Sequence, residues 1–448
     1  MNKQFAHLAI ALGLGLAAYW LAAHHLGAAH ARLVGAVVAL IALWTNEALP
    51  LGAVSLAPVV AFPALGLLDT DAVASNYAKS IVFLFLGGFM MAIATEKTGL
   101  HQAVAARILA VFPATLRGII FALALCSAFL SSLISNTTTA LLLIPVASFL
   151  TQDKTLKARF VLAIAYGASI GGIITPIGTP PNLILLGFLG DRGLEAPSFI
   201  NWMQLTVPLA LVMLALVTTV LSAGLGGRDA VGSMARGERL SPDQRRLLKI
   251  LGALVLLLLA NSPVKPYYGG LGLNEKGILL AFGLLMFFPK VGFLTWADSR
   301  KIPFEIVFLF GAGFSIAAAF GQTGLAGVLA GHLYGLSVLA PFALLLVVAA
   351  LVTFTTEITS NTALISIALP VLYSLGGAGG LSADLLMLSA TVCASYAFML
   401  PIATPPNAIA VGTGYVDIRT MARFGLLFNV LGVLGVACAA YFYWQRVL

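Results

Sequence analysis

Apolar runs follow one another along almost the whole of this chain. They fall at approximately 5–24, 33–49, 51–68, 79–97, 119–149, 158–190, 203–226, 248–262, 276–290, 304–322, 341–372, 384–413 and 418–444. Six of these thirteen runs are 17–25 residues long, which is what an α-helix needs to cross a bilayer, and five are longer. In lipid only helices and closed barrels satisfy their own backbone, and these runs lack the alternation of barrel strands, so helices are predicted. A water-soluble chain of 448 residues needs a charged shell; here 60% of residues are apolar and 9% charged. The formal charge of +8 reads as the Lys/Arg bias of cytoplasmic loops rather than as a nucleic-acid surface. Lys3 and the run behind it have the outline of a signal peptide, but another membrane segment follows at once, so we expect an uncleaved first helix.

Four runs do not suit a single crossing. Segments 119–149 and 341–372 are too long and carry a Ser-Asn-Thr cluster midway, while 158–190 and 384–413 are interrupted by Thr-Pro-Pro-Asn. An internal repeat accounts for all four. Ile81-Val82-Phe83-Leu84-Phe85 recurs as Ile306-Val307-Phe308-Leu309-Phe310, an offset of 225 residues. The same register carries Ser135-Asn136-Thr137 onto Ser360-Asn361-Thr362 and Thr179-Pro180-Pro181-Asn182 onto Thr404-Pro405-Pro406-Asn407. One apolar run and two polar motifs in one ungapped frame mark a duplication.

Charge orients the two copies. Lys97, Arg107, Arg117, Lys154, Lys157 and Arg159 surround the first, whereas 322–342 and 373–385 in the second contain no Lys or Arg. The positive-inside rule then sets the copies in opposite senses across the membrane. Segments 119–149 and 341–372 become re-entrant hairpins, leaving about eleven crossings, with the N-terminus cytoplasmic and the C-terminus outside the cell or in the periplasm. The expected organisation is 1–118, scaffold helices and the start of the first repeat; 119–226, the first transport half; 227–247, a cytoplasmic linker; 248–340, scaffold helices and the start of the second repeat; and 341–448, the second transport half.

Inverted repeats with interrupted helices put a binding site where the breaks meet, near the bilayer midplane. Each break creates a helix N-terminus with free N–H donors, suited to an anion. Each also frees carbonyl oxygens, which with Ser, Thr and Asn suit a hard cation such as Na+. None of the four breaks holds Lys, Arg or His, so a dianion there would need cations bound beside it to offset its desolvation. An intramembrane enzyme lacks a base near Ser135 or Ser360, and a channel has no use for duplicated cation and anion niches. Glu357, beside the second hairpin motif, reads as a structural acid that bonds backbone at the tip, with a proton site or a gate as the other possibility, and Glu47 as a loop or packing residue. Cys126, Cys393 and Cys438 read as small core residues, and Gly87-Gly88 and Gly311–Gly313 as close helix packing.

These motifs, with Met399-Leu400-Pro401-Ile402-Ala403 leading into the second Thr-Pro-Pro-Asn, resemble the divalent anion/sodium symporter family over nearly the whole chain. The resemblance implies a homodimeric elevator transporter in the cell inner membrane that carries di- or tricarboxylates such as succinate, malate or fumarate with Na+, and that is not an enzyme. A dicarboxylate exchanger or a sodium/sulfate symporter would use the same fold. By motif, Asn136, Thr137, Thr179, Pro180, Ser360, Asn361, Thr362, Thr404 and Pro405 would face the substrate. One Na+ would sit among Ser131, Ser135, Asn136 and Gly178, and a second among Thr356, Asn361 and Ala403, giving at least two co-transported ions.

Overall fold

Each polar interruption in the apolar runs becomes the start of a helix. Ser135 and Ser360 act as N-caps, their hydroxyls accepting from Thr138 N and Ala363 N, and the paired prolines occupy first-turn positions where a missing N–H costs nothing. A computed structural model describes residues 3–46, 48–113, 115–225, 239–263, 268–333, 335, 339–376 and 380–447. Glu47, residue 226 and 227–238 of the expected linker lie outside the described residues.

The helices run in chain order α1 (Lys3–Ala23), α2 (Ala28–Asn46), α3 (Leu51–Ala64), α4 (Thr70–Asn76), α5 (Ser80–Lys97) and α6 (Leu100–Val111). Next come α7 (Leu116–Ser131), α8 (Asn136–Phe149), α9 (Lys154–Gly172), α10 (Pro180–Asp191) and α11 (Phe199–Ser222). The second half has α12 (Pro242–Asn261), α13 (Glu275–Leu285), α14 (Phe304–Thr323), α15 (Leu325–Leu333), α16 (Pro341–Thr356), α17 (Asn361–Ser374), α18 (Ala383–Ala394), α19 (Pro405–Gly412) and α20 (Ile418–Phe442). Six spans among the described residues are long and apolar enough to cross a membrane. The chain is an all-helical, polytopic membrane protein.

Segment 119–149 folds as the antiparallel pair α7–α8 and 341–372 as α16–α17, each joined by four residues, 132–135 and 357–360. Segment 158–190 is the broken pair α9–α10, and 384–413 is α18–α19. The copies also share packing: α3 lies on α14 as α13 lies on α5. Glycine permits the α5–α13 crossing, where a Cβ on Gly87 would meet Leu279 O at 2.3 Å. Gly311 is covered by Tyr77 in the same way, as the packing reading of these glycines expects. The first helix belongs to the fold, since a Cβ on Gly15 would sit 2.8 Å from Gly35 O of α2.

Two sequence expectations need correction. Helix α12 starts inside the expected linker, at Pro242, because Ser241 and Gln244 form a reciprocal capping box there. Cys126 and Cys393 are buried, but Cys438 lies on an exposed face of α20, since helical spacing turns it away from the core.

Polar side chains gather at the two ends of the helix bundle. At the Lys97 end of α5, Lys97 Nζ bonds Asp298 at 2.6 Å, Lys301 pairs with Glu96 at 2.9 Å, and Gln244 Nε2 donates to Thr98 O at 3.1 Å. Lys97 holds the Asp298 carboxyl down to about 2. That contribution is therefore present above the ordinary carboxylate range and is lost only as pH falls through about 2. At the Ser80 end, Lys79 pairs with Asp191 and Lys276 Nζ donates to Ser80 Oγ at 3.0 Å. Basic residues occur here too, but the protein engages them: Arg32 donates to Leu65 O at 2.6 Å, and Arg192 lies over Phe188 and Tyr373.

Candidate functional site

The four interruptions converge. A cavity of about 740 Å³ is lined by Ser135, Asn136 and Thr137 from the first hairpin and by Ser360, Asn361 and Thr362 from the second. Gly178, Thr179 and Pro180 from one break and Ala403, Thr404 and Pro405 from the other complete the polar lining. Helices α8, α10, α17 and α19 all begin at this cavity, so four positive dipole ends meet there; first-turn N–H donors come mainly from Asn136, Thr137, Asn361 and Thr362, because α10 and α19 each open on two prolines. Phe85, Phe89, Leu133, Ile177, Ile306 and Ile358 supply an apolar surround. Among the described residues no Lys, Arg or His lines it.

Ser131 and Thr356 do not reach the cavity wall; both are fully buried behind it. Ser131 Oγ lies within hydrogen-bond distance of both Asn136 Oδ1 and Ala168 O, the latter at 2.7 Å. Thr356 Oγ1 lies 2.6 Å from Asn361 Oδ1 and 3.1 Å from Ala394 O. A hydroxyl has one proton, so each group of three oxygens contains a single hydrogen. Such a niche is short of donors and suits a bound cation.

The breaks are shaped by their asparagines. Asn182 Nδ2 donates to Gly172 O at 3.0 Å and Thr175 O at 2.9 Å, and Asn407 Nδ2 to Ala397 O at 3.0 Å and Leu400 O at 3.1 Å. This ties the backbone on either side of each break. Both side chains are fully buried, and neither Oδ1 has a hydrogen-bond partner among the described residues. Ser169 Oγ and Ser395 Oγ, each one residue past a niche carbonyl, are buried and unpartnered as well. An orphaned buried oxygen costs about 1–3 kcal/mol, and here the pattern occurs once per repeat. The sequence reading quoted both asparagines as motif members without seeing this. Their duplication beside the hairpin motifs was the available signal.

The reading also missed part of the wall. Gln4, Trp44, Thr45, Pro50 and Glu305 line the cavity, and Glu305 opens α14 next to the cluster at the Lys97 end of α5. A Cβ on Gly52 would lie 3.4 Å from Glu305 Cβ, so the 45–52 stretch is at that same end. Glu305 directly precedes the repeated Ile-Val-Phe-Leu-Phe run, where the first copy has Ser80; that contrast was its only mark. His30 and His101 lie away from the cavity, bonded to Thr323 O and Thr95 O.

Comparison with known proteins agrees with this geometry. Residues 40–393 match the model of a family described as citrate transporters. A sodium-dependent dicarboxylate transporter, SdcS, of Staphylococcus saprophyticus is 31% identical over 437 residues, spanning 90% of this chain and 84% of its own. The protein of the same name from Staphylococcus aureus is 31% identical over 439 residues, with the same coverage. Among solved structures, the YdaH transporter of Alcanivorax borkumensis aligns with a TM-score of 0.60 at 18% identity, covering 85% of this chain and 90% of that one. Neisseria gonorrhoeae MtrF aligns at 0.58 with 13% identity and 83% coverage of both chains. At such identity these two structures speak for the fold alone.

Proposed function

Because this chain belongs to the citrate transporter family and is a sodium-coupled carboxylate symporter of the divalent anion/sodium symporter type, we propose that its central cavity binds the carboxylate between two sodium niches. One observation carries this reading: four helix N-termini meet at a cavity with no basic side chain among its described lining residues, backed by two proton-poor oxygen clusters. The helix ends and the hydroxyls of Thr137, Thr179, Ser360, Thr362 and Thr404 would hold the carboxylate oxygens. Sodium in the niches at Ser131–Asn136–Gly178 and Thr356–Asn361–Ala403 would offset its charge. Moving an ion into a low-dielectric interior costs several kcal/mol even after relaxation. Neither partner then binds well alone, and this mutual dependence is the coupling.

The finer architecture belongs to the same proposal. The copies are inverted, so the hairpins α7–α8 and α16–α17 enter from opposite faces. The parts containing 119–226 and 341–448 move as a transport unit against a scaffold of 1–118 and 248–340, through which two copies pair. The N-terminus is cytoplasmic in the cell inner membrane. The cavity is lined by Thr45, Pro50 and Glu305 near the end that gathers Lys97, Arg246, Lys290 and Lys301, the cytoplasmic end in this orientation.

The test is uptake of radiolabelled succinate into proteoliposomes, with an inward sodium gradient against a matched potassium control. Saturable uptake only with sodium is expected. Uptake indifferent to sodium would overturn the two-niche coupling. Sodium-driven uptake of sulfate in preference to succinate would overturn the carboxylate assignment of the cavity.

A further inference from the structure

The two niches differ in one respect. At the position that follows the niche hydroxyl, the first copy has Ser132 and the second has Glu357. Ser132 Oγ turns back onto its own helix, donating to Phe129 O at 2.7 Å, and its carbonyl accepts from Thr175 Oγ1 at 2.6 Å. Glu357, 3% exposed, instead reaches into the break of its own repeat, between α18 and α19. Its Oε1 accepts from Met399 N at 2.9 Å and Asn429 Nδ2 at 2.7 Å, and its Oε2 accepts from Leu400 N at 2.9 Å. Asn429 Oδ1 accepts from Phe398 N at 3.1 Å. Each of these bonds to the carboxyl group is one it accepts, and each favours its charged form.

Those bonds change the backbone. In the first copy α9 continues to Gly172, and Ile173 N and Ile174 N bond Ile170 O and Gly171 O at the helix end. The counterparts of Ile173 and Ile174, Phe398 and Met399, give their N–H groups to side chains, and α18 stops at Ala394. Phe398 N goes to Asn429 rather than to Ala394 O, and Ala394 O meets Thr356 Oγ1 in the niche as Ala168 O meets Ser131 Oγ in the first copy. Leu400, whose N–H Glu357 holds, accepts through its carbonyl from Ala403 N at 3.2 Å and Asn407 Nδ2. One carboxylate thus sets the path of the chain from Met399 to Ala403.

We propose that Glu357 is a positioning residue for the second sodium niche: by holding Met399 N and Leu400 N directly, and Phe398 N through Asn429, it fixes the course of the chain to Ala403, and by its charge it makes that niche the tighter of the two. The assignment rests on the sodium-niche reading above. The second niche fills first, and the first niche fills with the substrate. Ser132, neutral and bonded within its own helix, gives the first niche no such bias.

The experiment compares full-length wild type, Glu357→Gln, Glu357→Asp and Ser132→Ala in proteoliposomes, reading the sodium dependence of succinate uptake. Glu357→Gln sets an amide NH2 against backbone donors and removes the charge. It should raise the half-saturating sodium concentration at least about tenfold, as loss of outer-shell support does at metal sites. The maximal rate at saturating sodium should change far less. Glu357→Asp should recover part of the shift, and Ser132→Ala should leave the half-saturation near wild type.

A second arm measures amide hydrogen exchange in the two breaks. Glu357→Gln should speed exchange at 398–403 and not at 173–178. If that variant does not fold, Asn429→Ala, which removes one donor to the carboxylate, takes its place in both arms. Faster exchange with unchanged sodium dependence would reduce Glu357 to a purely structural role and overturn the proposal, as would no change in either arm. Sodium-independent uptake by the wild type would instead defeat the niche reading itself, leaving the exchange arm to judge the positioning.

Discussion

Asn136 and Asn361 each stand between a buried hydroxyl and the cavity. The Asn136 and Asn361 side chains meet Ser131 and Thr356 on one side, and both residues line the cavity on the other. Replacing either with alanine removes an oxygen from a niche and from the substrate wall together. Asn136→Ala and Asn361→Ala should each lower sodium-driven uptake at least about tenfold, the scale of one lost buried polar partner. A normal size-exclusion profile would show that the fold survives, and normal uptake by either variant would refute the assignment. These two residues were legible in the sequence because they recur in register inside apolar runs, where a chance polar pair is expensive to bury. Glu357 was legible only in part. Its burial beside a hairpin pointed to a structural acid, but its partners are 42 residues and more away, at separations no local pattern encodes.

Helix crossings decide how closely the breaks approach one another. Along α9, a Cβ on Gly167 would lie 2.5 Å from Ala124 O and one on Gly171 2.2 Å from Ala128 O, both on α7. Here the hairpin and the broken helix pack backbone to backbone, and Ser131 can reach Ala168 O. Gly171→Ala should force the two helices apart and lower stability by about 1–3 kcal/mol, the usual cost of overpacking. Gly252 of α12 has open space at its Cβ, so Gly252→Ala should be neutral or stabilising by up to about 1 kcal/mol. Thermal unfolding of the purified protein in detergent reads both, and equal effects would contradict the crossing argument. The sequence reading singled out Gly87-Gly88 and Gly311–Gly313 for packing but passed over Gly167 and Gly171. Glycine in an apolar helix looks the same whether a neighbour's backbone or lipid lies opposite.

At the scale of the whole molecule, the elevator proposal requires α10 to travel relative to α5. The Lys79–Asp191 pair joins the start of α5 to the end of α10, at the end of the bundle opposite Glu305, and Lys79 also lies over Phe314 of α14. If the transport unit slides, this contact belongs to the present state and breaks in the other. Lys79→Cys with Asp191→Cys, bridged by a short bifunctional thiol reagent, should stop uptake, while each single variant stays active after the same treatment. Undiminished uptake by the bridged protein would refute that movement. By itself the sequence determined that the chain is helical and membrane-spanning, that it is duplicated, and where its helices break. Those properties are local or periodic: bilayer thickness sets the length of an apolar run, proline and Ser-Asn-Thr interrupt it, and a fixed offset repeats. Only the tertiary structure brought four distant helix starts to one cavity, paired each hydroxyl with carbonyls across a helix crossing, and turned Glu357 into the break between α18 and α19. Such arrangements rest on backbone approaches and hydrogen bonds between segments far apart in the chain, which neither composition nor periodicity records.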